Sequence, residues 1–162
     1  MILSSNNSIA GNYGRRPLTD IHFYSKPKLA GPFYGDNAVQ QLQEVCKIET
    51  NPEVPIVFTH NDFCPPNILL TPGPNPKVAA VIDWAQSGWY PAYWDYCKAR
   101  YVGRPWGLQV LISDNVEIQG YKNFTRGVIQ DEWWTKYLPK FLDPVDEEGV
   151  RHPWMYFAYC NF

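Results

Sequence analysis

Three short apolar runs lie close together in the middle of the chain, separated by polar and proline-rich breaks. Residues 54–58 read Val-Pro-Ile-Val-Phe, residues 67–70 Asn-Ile-Leu-Leu and residues 77–82 Lys-Val-Ala-Ala-Val-Ile. Each is too short for a typical helix and apolar enough to be half or fully buried, so each is predicted as a strand. Between the last two, Thr-Pro-Gly-Pro-Asn-Pro at 71–76 admits only a turn, because proline lacks a ladder N–H and glycine reaches positive φ. These two strands are expected to form an antiparallel hairpin. Helical spacing appears on either side. Over 37–47, Val39, Leu42, Val45 and Cys46 share a face, with Asn37 placed as cap and Gln40 at the reciprocal capping-box position. This helix is expected to pack against the back of the hairpin, with Cys46 in the core. Residues 84–91, with Gly88 and Pro91, read as a loop, followed by a helix over 92–101 with Tyr93, Tyr96, Cys97 and Arg100 along one side. A short helix over 131–138 clusters Trp133, Trp134, Tyr137 and Leu138, and Pro139 ends or kinks it. The stretch 154–162 is apolar enough to need burial and reads as core. Residues 102–126 are interrupted by Gly103, Pro105, Gly107 and Gly120, and residues 1–34 have no periodicity and read as an irregular arm.

Composition narrows the class. The 162 residues are 45% hydrophobic and 19% charged, an ordinary globular balance, and seven Trp with eleven Tyr imply a core of large rings. A net charge of −2 lacks the basic excess of nucleic-acid binders, so no nucleic-acid partner is expected. No apolar run approaches the roughly 20 residues that span a bilayer, so no membrane partner is expected either. Cys46, Cys64, Cys97 and Cys160 are widely spaced without a Cys-x-x-Cys pair, which argues against a zinc site or a disulfide scaffold. The N-terminus carries no secretory pattern, and a cytoplasmic location is expected.

Chemistry concentrates at the open end of the hairpin. That end places Asp83 beside Asn67, with Asp62 on the loop just before, so two carboxylates and a carboxamide converge. Such oxygen donors suit magnesium, which takes one or two protein carboxylates and completes its shell with water and substrate phosphates. The spacing His60-x-Asp62, then four residues and Asn67, fits the catalytic loop of kinases. There the Asp accepts the proton of the substrate hydroxyl, the Asn holds a metal, and a later Asp holds metal too. Read singly, the same residues are a structural histidine, a turn aspartate, an Asx cap and a strand-end aspartate; their joint spacing favours the kinase-like reading. Asp95, on the helix that follows, is placed either to bond back to the catalytic loop or to be solvated. Cys64 beside His60 invites a thiol nucleophile, but Pro65 and Pro66 leave no helix N-terminus with free N–H groups to activate it. A metal phosphoesterase would need more ligands than His60, Asp62 and Asp83, and no motif surrounds His22 or His152.

The run Phe-Thr-His-Asn-Asp-Phe-Cys-Pro-Pro-Asn-Ile-Leu-Leu at 58–70, then Val-Ile-Asp-Trp at 81–84, resembles the aminoglycoside phosphotransferase and choline-kinase-like family. It is most similar to fungal members, as is Gly-Trp-Tyr-Pro-Ala-Tyr-Trp-Asp-Tyr at 88–96. The resemblance implies an α+β protein-kinase-like C-terminal lobe over 35–162, mainly helical, with a small antiparallel hairpin carrying the catalytic and metal loops. It implies ATP and Mg2+ as cofactors and a small-molecule hydroxyl as acceptor. Asp62 would be the catalytic base, His60 the residue bracing the catalytic loop, and Asn67 and Asp83 the magnesium ligands.

The departures from the family define the rival readings. Residues 1–53 hold no glycine-rich loop and no lysine-bearing strand of the kind that clamps ATP phosphates, so the N-terminal ATP-cradle lobe is read as missing. Asn61 stands where bacterial members mostly have Gly, and Cys64 and Pro66 replace the more usual His and Arg or Gly. Three possibilities follow: a phosphotransferase, a truncated non-catalytic kinase-like binding module that pairs with a missing lobe or protein partner, or a fragment of a longer kinase. No residue selects the acceptor.

Overall fold

The computed structural model describes residues 9–10, 16–101 and 132–161. The sequence expectations for residues 1–8, 11–15, 102–131 and 162 lie outside the described residues. The elements in order are β1 (Ile9–Ala10), β2 (Phe33–Tyr34), α1 (Ala38–Cys46), β3 (Ile56–Thr59), β4 (Ile68–Leu70), β5 (Val78–Val81), β6 (Gly88–Pro91), α2 (Trp94–Tyr101) and α3 (His152–Cys160). Among the described residues strands pair in twos, all antiparallel: β1 with β2, β3 with β6 and β4 with β5. The architecture is α+β with small antiparallel sheets, a form compatible with a kinase-like fold.

The predicted hairpin forms, with Ile68 opposite Val81 and Leu69 opposite Ala80. Asn67 lies outside it, in a tight turn over Pro65–Asn67 closed by its own N–H on the Cys64 carbonyl at 2.9 Å. The loop expected over 84–91 is half strand. Gly88–Pro91 pairs with β3, Thr59 facing Gly88 and Ile56 facing Pro91. A glycine is required at 88 because the Tyr90 ring lies 2.9 Å from where a Cβ would stand. Pro91 is tolerated because it sits at the strand's last position, after which Ala92 N–H returns to the Pro55 carbonyl at 2.9 Å.

The first helix differs from expectation in three respects. Its buried stripe is Ala38, Val39, Leu42, Gln43 and Cys46, while Val45 is exposed. Gln43 takes the inward place because its amide donates to the Tyr93 hydroxyl (3.2 Å) and the Asn51 carbonyl (3.3 Å). The capping box does not form: Asn37 Oδ1 accepts from Gln41 Nε2 (2.7 Å), and Gln40 donates to Glu44 (2.8 Å). The helix rests mainly on β1, β2 and the turn Pro27–Leu29 rather than on the back of the hairpin. Lys47 ends it in the left-handed region (φ 56°), and Ile48 N–H closes on the Gln43 carbonyl at 2.9 Å.

Large rings build the core. Trp94 on α2 meets Trp154 of α3 edge-on at 5.7 Å, and Phe157 and Phe23 close around it at 5.7 and 6.0 Å. The apolar C-terminal stretch is thus half core, since Trp154, Phe157 and Ala158 are buried while Tyr156 and Tyr159 are exposed. A second cluster joins Phe63, Tyr96, Trp133 and Leu138, with Ile68 and Val81 of the hairpin against it. Residues 133–137 form a wide π-type turn and Pro139 sits in the tighter turn 138–140 that follows.

The N-terminal segment is fastened to α2 by a buried carboxylate. Asp20 accepts from the Trp94 indole N–H (2.8 Å), the His22 backbone N–H (2.8 Å) and Lys98 Nζ (3.1 Å), and it lies 2.6 Å from His22 Nδ1. Asp20 and Lys98 are almost fully buried. Burial alone would raise the Asp20 carboxyl, but Lys98 and His22 overcome it and hold the group well below the usual carboxylate range. A depressed carboxyl contributes stability that is present above its unfolded pKa of about 3.9 and is lost as pH falls below it. Urea midpoints taken between pH 7 and pH 2.5 should therefore fall below about pH 4, and fall less steeply in Asp20→Asn. That variant should also be weaker at pH 7, because Lys98 loses its charged partner.

Candidate functional site

β3 delivers the chain to a sharp turn. His60 and Asn61 are buried, and Asn61 holds a left-handed backbone (φ 66°), a conformation Asn tolerates better than most residues. The turn is held from below by α2. The two oxygens of Asp95 accept the backbone N–H groups of His60 (3.1 Å) and Asn61 (3.0 Å), so of the two placements open to Asp95 the bond to the loop is the one formed. Burial pushes its carboxyl above the ordinary value, opposed by those two N–H groups and by the positive charge of Lys98. The Asn61 side-chain amide donates to the Gln86 carbonyl at 3.0 Å.

His60 ties this loop to the hairpin. Its Nδ1 accepts the Asp62 backbone N–H (3.2 Å), which assigns the ring proton to Nε2, and Nε2 donates to the Ile82 carbonyl (2.9 Å). Both ring nitrogens are occupied, so His60 is neither a metal ligand nor a free base here, and the phosphoesterase ligand set loses a member. The Trp84 ring packs on it at 4.5 Å.

Asn67 joins Asp62 directly. Its Nδ2 donates to the Asp62 carbonyl (2.8 Å) and to Asp62 Oδ2 (3.1 Å). With the nitrogen so committed, the Asn67 amide has its oxygen left for a further partner, and Asp62 keeps one carboxylate oxygen outside that bond. The Asn67 backbone carbonyl accepts the Ile82 N–H at 2.9 Å, which brings the far end of β5 back beside it. Asp83 follows at once, exposed and left-handed (φ 62°), with no side-chain hydrogen bond among the described residues. The hairpin therefore brings Asn67 beside the residue after β5, the backbone placement expected from the apolar runs.

The donor set is consistent with magnesium. Asn67 and Asp83 offer one amide oxygen and one carboxylate, both hard ligands. Among the described residues no group of three or more His, Cys, Asp or Glu side chains forms a metal cage. Burial, and then the nearby Asp62, push the Cys64 thiol up to about 12, which disfavours the thiolate that a nucleophilic role would need. Sequence reasoning missed Gln86, Lys98 and Asp20, which carry no motif and meet only in three dimensions.

A model of the phosphotransferase enzyme family matches residues 15–126, more than half of the chain. No curated protein and no solved structure matches it. Among the described residues no helix is long and apolar enough to cross a membrane.

Asp95 is the support that the turn at His60–Asn61 cannot lose. Asp95→Ala leaves two buried N–H groups without acceptors and should cost about 2–5 kcal/mol in urea unfolding. Amide hydrogen exchange of a peptide covering 58–64 should accelerate by more than that of α3.

Proposed function

The chain belongs to the phosphotransferase enzyme family, and on that premise we propose that it transfers the γ-phosphoryl group of ATP to a hydroxyl of a small molecule. The observation that carries the reading is the Asn67–Asp62 contact at the hairpin mouth, braced by His60 and Asp95, with Asp83 next to the Ile82 that bonds the Asn67 carbonyl. Asp62 orients the acceptor hydroxyl and takes its proton as the oxygen attacks phosphorus. Asn67 holds the aim of that carboxylate through its amide nitrogen. Asn67 Oδ1 and Asp83 would hold Mg2+, which when bound neutralises charge on the phosphates. Preorganised positioning of this kind supplies most of the rate in phosphoryl transfer. The run 88–96 supports a place among the fungal members, and a cytoplasmic setting belongs to the same reading.

A second reading is favoured by one observation. Leu69, Leu70 and Val78 of the hairpin and Ile82 just after it are exposed, and Phe58 stacks on Trp84 at 6.0 Å beside exposed Trp89. Apolar surface of this kind marks a docking face. It supports the view that the chain is a kinase-like C-terminal lobe whose ATP-cradle lobe or protein partner sits there, active only once that face is covered.

Two measurements separate the readings. Asp62→Ala should abolish acceptor phosphorylation while leaving the urea midpoint close to wild type; equal turnover in the two proteins would overturn the assignment of the base. Thermal unfolding with Mg-ATP at about 100 times its Kd should show about 2.7 kcal/mol of stabilisation that disappears without magnesium and in Asp83→Ala. No shift at millimolar nucleotide would favour the lobe that needs a partner.

A further inference from the structure

We propose that Gln86 is a positioning residue for the catalytic loop, linking the buried Asp20–Lys98 pair to Asn61 and so to the aim of Asp62. Its catalytic consequence rests on the phosphotransferase reading above. Gln86 lies in the turn between Asp83 and β6, closed by Ser87 N–H on the Trp84 carbonyl at 3.0 Å. Both ends of the residue are engaged. Its side-chain Oε1 accepts from Lys98 Nζ (2.8 Å) and from the Ile21 backbone N–H (3.0 Å). Its backbone carbonyl accepts from Asn61 Nδ2 (3.0 Å) and from the Thr19 hydroxyl (3.4 Å). One residue thus joins the N-terminal segment, α2 and the catalytic turn.

Three features make this link directional rather than incidental. Lys98 is desolvated and paired with Asp20, so its ammonium has little freedom to seek another acceptor. Asn61 is fully buried, and among the described residues its Oδ1 has no hydrogen-bond partner, so the Gln86 carbonyl is the hydrogen-bond anchor of its side chain. Asn61 also holds a positive φ, which persists only when its surroundings enforce it. Asp95 fixes the backbone of that residue and Gln86 fixes its side chain. Asp62 is the next residue, so any rotation at Asn61 re-aims the carboxylate.

The test compares Gln86→Met, which keeps length but removes the acceptor, with Gln86→Glu, which restores an oxygen toward Lys98 and Ile21. Gln86→Met should lower kcat about tenfold to hundredfold with the Kd for Mg-ATP within about threefold of wild type, and should speed amide exchange in a peptide covering 59–64. Gln86→Glu should recover most of both losses. If Gln86→Met does not fold, Gln86→Ala takes its place. Equal behaviour of the Met and Glu variants, or loss appearing in nucleotide Kd rather than kcat, overturns the proposal. If the wild-type chain shows no turnover, the phosphotransferase reading fails by itself. Exchange over 59–64 then decides the positioning role alone, and its absence in Gln86→Met overturns that role.

Discussion

The structure depends on one carboxylate beneath one turn. Asp95 collects the N–H groups of His60 and Asn61, and without it two buried donors at the end of β3 would have no acceptor. The resulting left-handed turn points Asp62 toward Asn67 and lets His60 reach the Ile82 carbonyl. Because Asp95 belongs to α2, the turn at His60–Asn61 is referenced to a helix rather than to another loop. Helices are stiff, so the geometry of Asp62 is inherited from the packed core. The aromatic cluster around Trp94 and Trp154 is therefore part of the site's construction as well as of its stability.

The strands contribute less to stability than to placement. Three separate two-stranded pairs cannot bury a continuous layer, and isolated pairs of this size are marginal in water. What they do is bring chain ends together. β3 with β6 sets the turn 84–87 beside Asn61, and β4 with β5 sets Asp83 beside Asn67. Each pair is then seated on rings: Tyr90 against Trp94 at 5.3 Å in one case, Ile68 and Val81 against the Phe63–Trp133 cluster in the other. A network of polar bonds among Asp20, Lys98 and Gln86 locks the N-terminal segment to the same frame. Among the described residues, then, the region before β3 is as much a part of the frame around the turn at His60–Asn61 as the region after it.

How much of this was legible depended on whether the partners were close in sequence. The hairpin, the turn at 71–76 and the approach of Asp83 to Asn67 follow from a local pattern of apolar runs and prolines. The left-handed turn at Asn61 was not foreseen, although Asn is a residue type that accepts positive φ. By contrast, Gly88–Pro91 looks like a loop by composition and becomes a strand only because β3 offers it a ladder. Val45 matches the apolar period of α1 yet faces solvent, since Gln43 finds a hydroxyl on Tyr93 that no sequence window contains. Asn37 has the right identity for a cap but gives its oxygen to Gln41 instead.

By itself the sequence determined the chemistry: which oxygens are available, at what spacing, and on which strand ends, because residue type and short-range periodicity are local properties. Only the tertiary structure decided how those groups are held. The Asp95 clamp was one of two options from sequence, and the Asp20–Lys98–Gln86 link was not visible at all. Buried polar groups must find partners wherever the fold brings them, and that meeting is set by packing rather than by spacing along the chain.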